Sequence, residues 1–234
     1  TLDPALVART LGAETERRGD GLVHRPTGRR VAAMLPVYTL GMPADMDAIM
    51  ATARDFRLPV VADAAAALGA RYQARAIATL GADLTVFSFN GNKTVTAGGG
   101  GAVVGDDATL CARLRHLTTT ARTGADYDHD MVGFNYRMTN LQAAVGCAQL
   151  EQLDGFVAAK RRIARRYDEE LGALPGVGCF PRPAWAESAC WFSGVTVATP
   201  TVAELRPLLR AQGVDSRPFW KPVHLQVPYW QAPA

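Results

Sequence analysis

Apolar runs separated by a helical pattern predict a parallel sheet in the first half of the chain. Val31 to Val37 is apolar and short enough for a buried strand, and Leu58 to Ala62 is a second such run. Between them we predict a helix from Pro43 to Phe56, because proline is tolerated in a first helical turn. A strand, a helix and a strand of these lengths indicate a parallel βαβ unit.

Two more strands, a capped helix and a loop are predicted downstream. The strands cover Thr85 to Phe89 and Ala102 to Val104. Asp106 or Asp107 can cap the next helix, since a carboxylate accepts the free N–H groups of a first turn. The polar stretch 118–129 is predicted to be a loop.

A long helix is predicted to divide the chain. Thr139 and Gln142 fit a capping box, and the helical pattern continues to about Leu171 with a break or bend near Gly155. The chain has room for one domain or one and a half. We predict three regions, which are residues 1–138 as part of a large α/β domain, 139–175 as a connecting helix and 176–234 as a small, incomplete α+β domain.

The last region is predicted to combine two strands and a helix. Trp191 to Val197 alternates as a strand does, and Val214 to Arg217 forms a second short strand. Between them Thr201 to Glu204 fits another capping box, and Gly213 fits the end of that helix.

Composition and charge exclude several classes of protein. The net charge of +3 is small and the basic residues are scattered, so no nucleic-acid partner is expected. The densest basic run, Lys160-Arg161-Arg162, lies beside acidic residues and is interpreted as a solvated helix face. No apolar stretch approaches the roughly 20 residues of a membrane helix, and we expect no signal peptide. The cysteines form no CxxC pair, so we expect no metal site and reduced core thiols in a cytoplasmic protein.

Lys93 and Asp63 are the residues that indicate a chemistry. Lys93 lies in the polar loop from Ser88 to Thr94, ahead of the glycine run Gly98 to Gly101, and Asp63 ends an apolar run. A lysine amine can form a Schiff base with an aldehyde, and a carboxylate can hold a protonated pyridine nitrogen. Pyridoxal phosphate requires both groups and a phosphate cradle. Asp63 and Ser88 follow predicted strands at their C-terminal ends, where open α/β sheets bind ligands.

Each of these features also has a structural interpretation. Lys93 alone fits a surface lysine in a turn, and Asp63 fits the N-cap of a following helix. Gly98 to Gly101 fits a tight hairpin or a phosphate-binding nest. Two other phosphate motifs fail, because a P-loop requires glycine where Asn92 stands and a GxGxxG motif requires glycine or alanine at Val103.

Four motifs occur in order along the chain. They are Asp63-Ala64-Ala65, Ala67-Leu68-Gly69, Phe87-Ser88-Phe89-Asn90-Gly91-Asn92-Lys93 and Gly133-Phe134-Asn135-Tyr136-Arg137. The set resembles the signature of the DegT/DnrJ-type sugar-nucleotide aminotransferases. The Asn-Gly-Asn-Lys form and the segment Arg217 to His224 resemble the branch that acts on UDP-linked 4-keto-6-deoxy sugars, of the bacillosamine and legionaminic type.

The resemblance implies a fold and a role for each site residue. The fold is α/β, a partial large domain of the fold-type-I (aspartate aminotransferase-like) pyridoxal phosphate enzymes with a smaller α+β C-terminal domain. Lys93 is the Schiff-base lysine, Asp63 pairs with the pyridine nitrogen and Ser88 binds the phosphate. Asn135 reaches the phosphate of the neighbouring subunit, which implies a homodimer with shared active sites. The residues expected near the substrate are Arg137, Arg217, Lys221 and His224.

The implied reaction moves an amino group from glutamate to a keto carbon, C4 in this branch, of a nucleotide-linked keto-deoxy sugar used for surface glycans. One alternative is a non-catalytic homologue that binds pyridoxal phosphate weakly or serves only in dimerisation. Ala66 favours it, because the family has a hydrogen-bonding side chain there. The family's N-terminal phosphate-binding and ring-stacking residues are not assigned to positions of this sequence. Another fold-type-I enzyme acting on amino acids is the second alternative.

Overall fold

The computed structural model describes residues 1–230, without the side chains at 199–201. These residues form two compact units. The first comprises Thr1–Arg166 and Pro181–Ser193, and the second comprises Tyr167–Phe180 and the chain from Gly194 onward. The predicted boundaries near residues 138 and 175 separate a large domain, a connecting helix and a small domain. These domain boundaries stay a prediction.

The first unit opens with a helix and an antiparallel meander. Helix α1 (Pro4–Glu14) is capped by Asp3, whose carboxylate accepts the N–H groups of Ala5 and Leu6. Strands β1 (Thr15–Arg18), β2 (Gly21–His24) and β3 (Arg29–Val31) follow as one three-stranded sheet.

The predicted strand from Val31 to Val37 is wrong in extent. Val31 pairs with Leu22 at the end of β3, and after it only Met34 and Val37 pair, in isolated parallel bridges to Val60 and Asp63. Proline at position 36 has no N–H to donate, so a continuous ladder cannot form there. The bridges are nevertheless parallel, as the βαβ prediction requires.

The central sheet of the first unit holds the predicted site. Helix α2 (Met46–Phe56) precedes strand β4 (Val61–Asp63), and β5 (Arg71–Tyr72) and β6 (Arg75–Ala76) form a small hairpin. Strand β7 (Leu84–Ser88) pairs with β4 in parallel and with β8 (Gly101–Val104) antiparallel. The buried side chains Ile49 and Ala53 of α2 join Val60 and Ala62 in the main core. The parallel pairing of β4 and β7 places their last residues, Asp63 and Ser88, at the same edge of the sheet.

Three helices follow the sheet. Helix α3 (Ala108–Thr118) is capped by Asp107, which accepts the N–H groups of Thr109 and Leu110. The predicted loop contains a short hairpin of β9 (Arg122–Thr123) and β10 (Asp128–His129). The capping box at Thr139 is confirmed at the start of α4 (Asn140–Leu150), and α5 (Leu153–Leu171) follows. The break lies at residues 151–152, and Gly155 is inside α5.

The predicted elements after residue 176 are partly wrong. Strands β11 (Gly178–Cys179), β12 (Ala186–Glu187) and β13 (Val195–Thr196) are short, with β11 paired to β13 and β12 to β5. Residues 191–194 form no strand, because Cys190 has a positive φ of 50° that turns the chain.

The last helix also differs from its prediction. Helix α6 (Thr199–Ala211) begins two residues before Thr201, after an N-cap, Ala198, that makes no side-chain bond. Gly213 follows the helix at a φ of +75°, as predicted for its end. Residues 214–217 are not a strand, since the Val214 N–H bonds back to the Leu209 carbonyl.

Three further findings concern predictions from composition. No helix among residues 1–230 is long and apolar enough to cross a bilayer. Within the same residues, no group of three or more His, Cys, Asp or Glu side chains is placed to hold a metal ion. Cys190 is buried but Cys147 is exposed, so the prediction of core positions for all four cysteines is wrong.

Candidate active site

Lys93 lies in the connection between the antiparallel strands β7 and β8. The Lys93 N–H donates to the Asn90 carbonyl at 3.0 Å, and the Phe89 carbonyl accepts the Ala97 N–H at 2.9 Å. Gly101 starts β8 opposite Ser88, where a Cβ would lie 2.4 Å from the Phe87 carbonyl oxygen. Glycine at position 101 therefore permits a close backbone approach in a hairpin, which supports the hairpin interpretation of the run.

Asp63 ends β4, at the same edge of the sheet as Ser88 at the end of β7. The Asp63 carbonyl accepts the Tyr38 N–H at 2.9 Å, and its carboxylate accepts the Ala65 N–H at 3.0 Å. Residues 64–69 form turns and not a helix, so the helix N-cap interpretation of Asp63 is wrong. The carboxylate holds a turn and stays half-buried at the sheet edge.

The electrostatic environment of Lys93 suits a nucleophilic amine. Burial lowers the pKa of the Lys93 amine from its ordinary value, and the Asp63 carboxylate partly offsets this by favouring the charged form. A lowered pKa increases the neutral fraction of the amine, and only the neutral form attacks a carbonyl. The structure therefore brings Lys93 and Asp63 into one electrostatic environment.

Ser88 completes the group at this edge. It is half-buried, and its Oγ accepts the Asn90 N–H at 3.3 Å, which turns the chain into the loop that carries Lys93. A carboxylate and a hydroxyl thus lie at neighbouring strand ends, and the amine lies in the loop that follows the second strand. This donor set fits pyridoxal phosphate, which offers an aldehyde, a pyridine nitrogen and a phosphate.

The other predicted residues are exposed. Asn135 pairs through its backbone with Thr119, and Arg137 follows two residues later. Arg217, Lys221 and His224 lie in the second unit, where the Arg217 Nε is 3.7 Å from an Asp215 carboxylate oxygen. Their roles near phosphate or substrate stay predictions.

Trp191 contacts Lys93, a relation that the sequence patterns missed. The Lys93 Nζ lies 3.8 Å from the centroid of the indole ring, and the Trp191 Nε1–H donates to the Asn92 carbonyl at 2.6 Å. The four consecutive apolar residues from Ala189 to Phe192 break the strand alternation, and this was the signal that a different conformation begins there.

The basic run at the middle of α5 holds the segment that carries Trp191. The Lys160 Nζ donates to the Trp191 carbonyl at 3.2 Å, and the Arg161 Nε donates to the Ser188 carbonyl at 2.9 Å. The Arg161 guanidinium also reaches the Gly69 carbonyl at 3.3 Å. The interpretation of this run as a solvated face is therefore wrong for Lys160 and Arg161, although Arg162 is exposed.

Comparison with known proteins decides the family. The chain matches the DegT/DnrJ/EryC1/StrS aminotransferase family over residues 20–234. It belongs to this family. The GDP-perosamine synthase of Caulobacter vibrioides is 38% identical over 205 residues, which cover 86% of this chain and 55% of the relative. The dTDP-3-amino-3,4,6-trideoxy-alpha-D-glucose transaminase of Streptomyces venezuelae is 39% identical over 210 residues, 89% of this chain and 54% of the relative.

A solved family member has the same fold. The Streptomyces venezuelae protein DesV, in complex with a ketimine intermediate, superposes with a TM-score of 0.85 at 34% identity, covering 99% of this chain and 58% of DesV. The predicted α/β fold class, a partial fold-type-I structure, is confirmed. The chain spans about half the length of the curated relatives it matches.

Proposed function

We propose that the complete protein uses pyridoxal phosphate to move an amino group from glutamate to C4 of a nucleotide-linked keto-deoxy sugar. One observation carries the proposal. In a member of this aminotransferase family, the half-buried Lys93 amine has a lowered pKa and interacts with the Asp63 carboxylate at the C-terminal edge of the sheet.

Three side chains would hold the cofactor. Lys93 supplies the amine for its aldehyde, Asp63 the carboxylate for its pyridine nitrogen and Ser88 a hydroxyl for its phosphate. When bound, pyridoxal phosphate supplies an electron sink for the negative charge that develops on the reacting carbon. While its amine is free, Lys93 would accept the proton from that carbon and return it. A lysine of lowered pKa suits this role, because a general base works best when its pKa is close to the working pH.

The named relatives support the substrate class. One is a synthase of GDP-perosamine and the other a transaminase of a dTDP-3-amino sugar. The exposed cations Arg217, Lys221 and His224 suit the diphosphate of such a substrate through charge-assisted hydrogen bonds. An amino-acid transaminase would instead require an arginine forked onto the carboxylate of both partners. The motif resemblance favours UDP as the nucleotide and C4 as the carbon.

A second copy of the chain is proposed as the partner. Large apolar side chains are exposed along the segment that contains Asn135, and they are Tyr127, Val132, Phe134, Tyr136, Leu141 and Val145. Tyr127 is 85% exposed and Leu141 is 82% exposed in the single chain. Apolar side chains exposed in such number are typical of a protein–protein contact. A homodimer would cover them and carry Asn135 toward the neighbouring phosphate site.

Product analysis tests the proposal. The complete protein is incubated with glutamate and, in separate reactions, with UDP-, GDP- and dTDP-linked 4-keto and 3-keto sugars or with pyruvate. We expect the mass of an amino sugar from a UDP-linked 4-keto-6-deoxy sugar, at a rate well above that with pyruvate. A 3-amino product would show that C3, and not C4, is the carbon that receives the amino group. Equal rates with pyruvate would indicate a general aminotransferase. Cofactor absorbance without any turnover would favour the non-catalytic alternative, for which Ala66 is the motivating departure.

A further inference from the structure

Trp191 contacts both the amine of Lys93 and the turn that carries it. The Lys93 Nζ lies 3.8 Å from the centroid of the indole ring. The indole Nε1–H donates to the Asn92 carbonyl at 2.6 Å, one residue before the lysine. Trp191 is 5% exposed and Lys93 is half-buried, so the indole is shielded from water on most sides while the amine keeps some access to it.

The backbone around Trp191 is fixed from two sides. On one side the Ala189 N–H donates to the Gly41 carbonyl at 3.0 Å. Gly41 has a φ of +89°, and a Cβ there would lie 3.2 Å from the Trp191 nitrogen, so glycine permits this close approach. On the other side the Lys160 Nζ donates to the Trp191 carbonyl at 3.2 Å. The indole therefore reaches Lys93 from a segment that is itself held.

The indole face acts on the charge of the amine. An aromatic face attracts an ammonium group, and the attraction grows when water is excluded. The charged groups near the pair include the Asp63 carboxylate at the end of β4 and the Lys160 ammonium on α5. Burial disfavours the charged Lys93, whereas Asp63 and the indole face both favour it.

We propose that Trp191 is a positioning residue for Lys93, with the indole face holding the ammonium group and the indole N–H fixing the turn. The inference rests on the proposed function, in which Lys93 is repeatedly freed as an amine. A freed lysine has four rotatable bonds, and an amine held at one place stays within reach of the reacting carbon.

The test measures the titration of Lys93 without any cofactor chemistry. The complete protein is stripped of cofactor, and acetylation of Lys93 is followed by peptide mass mapping as a function of pH. The variants are Trp191→Leu, which keeps apolar bulk without a ring, and Trp191→Phe, which keeps a ring without the N–H. Trp185→Phe is the matched control, because Trp185 packs against Tyr72 at 5.3 Å between ring centroids.

We expect the midpoint of the Lys93 titration to fall by about 0.5 to 1 pH unit in Trp191→Leu, because the ammonium loses its aromatic partner. Trp191→Phe should give a smaller fall and Trp185→Phe none. A midpoint in Trp191→Leu that equals or exceeds the wild-type value overturns the inference. If Trp191→Leu fails to fold, the Trp191→Phe variant decides: a lower midpoint of the Lys93 titration supports the inference, and an unchanged or higher midpoint overturns it.

A parallel measurement separates the inference from the proposed function. Cofactor-loaded wild-type protein is reduced with borohydride and mapped. Cofactor attached to a lysine other than Lys93 overturns the proposed function and the positioning role with it. Cofactor on Lys93 together with an unmoved midpoint in the Trp191 variants overturns only the role of Trp191.

Discussion

Lys93 is subject to opposing influences from groups that are distant in sequence. Burial lowers the pKa of its amine, and Asp63, thirty positions earlier, favours the charged form. The chain contains three lysines, Lys93, Lys160 and Lys221. Lys160 donates to a backbone carbonyl and Lys221 is exposed, whereas Lys93 combines partial burial with a carboxylate that favours its charged form.

Asp63→Asn separates charge from hydrogen bonding at the sheet edge. An asparagine oxygen can still accept the Ala65 N–H, so the turn should persist, but the negative charge is lost. We expect some cofactor binding to remain and most transamination to disappear, because an amide does not stabilise a protonated pyridine nitrogen. The pKa of Lys93 should fall further, since the carboxylate that raises it is gone.

Turnover with glutamate measures the loss of transamination in Asp63→Asn, and the pH profile of Lys93 acetylation measures the fall in the pKa of Lys93. In the linkage sense, a lysine pKa lowered on folding disfavours the native state at low pH. The unfolding free energy should therefore rise as pH increases through the folded pKa toward the unfolded one. Wild-type turnover in Asp63→Asn would be incompatible with the role at the pyridine nitrogen.

At this scale the sequence predicted which residues meet, but not how Trp191 joins them. Asp63 and Ser88 were placed correctly because both follow strands of one parallel pair, and strand ends of such a pair share an edge. Trp191 and Asn92 are 99 positions apart, and no local pattern predicts a contact of that range.

Among the elements, α5 links the segment 187–192 to the turn after β4. The Arg161 guanidinium donates to the carbonyls of Ser188 and Gly69, and it pairs with the Glu187 carboxylate at 3.2 Å. Gly69 has a φ of +85°, and a Cβ there would lie 2.5 Å from a methyl group of Val157. Helix α5 therefore packs closely against both the turn at Gly69 and the segment 187–192, and Arg161 on this helix bonds with both.

Arg161→Met tests this link. Methionine keeps the apolar stem but removes the donors, so the carbonyls at 69 and 188 lose their partner. We expect the free energy of unfolding to fall by about 1 to 3 kcal/mol in urea titration. Arg162→Met, on the exposed side of the same helix, is the control and should change stability by less than about 0.5 kcal/mol. Equal effects of the two substitutions would show that Arg161 is only a surface residue.

The capping signals at Asp107 and Thr139 predicted their helices, the capping box at Thr201 did not mark the start of its helix, and the strand predictions failed for long-range and for local reasons. Asp107 and Thr139 act within three residues of themselves, so the sequence alone predicts their helices. The strand predicted from Trp191 fails at its start because Cys190 has a positive φ of 50°, and Lys160, 31 positions earlier, binds the Trp191 carbonyl. The strand predicted from Val31 fails for a local reason, because Pro36 has no N–H to donate. The prediction relied on the apolar run and did not take this proline into account.

At the scale of the whole molecule, the proposal requires two copies of the chain. Asn135 is exposed and lies within the run of exposed apolar side chains from Tyr127 to Val145. Its predicted role at a neighbouring phosphate site can therefore be tested by mixing two inactive proteins.

Lys93→Ala and Asn135→Ala should each lose most activity as homodimers. Mixed subunits should regain activity, because a heterodimer then contains one site with an intact lysine from one copy and an intact asparagine from the other. Heterodimers are confirmed by native mass spectrometry before turnover with glutamate is measured. Lys93→Ala mixed with wild type gives the reference for one functional site per dimer. Absence of recovery in confirmed heterodimers would show that the sites are not shared.

Lys93 is proposed to be the residue that binds the cofactor covalently. The most direct measurement is borohydride reduction of the complete protein loaded with pyridoxal phosphate, followed by peptide mass mapping. The expected result is one adduct, on Lys93, together with loss of the visible cofactor band in Lys93→Ala. An adduct on Lys160, Lys221 or any other lysine, with Lys93 unmodified, would contradict the account.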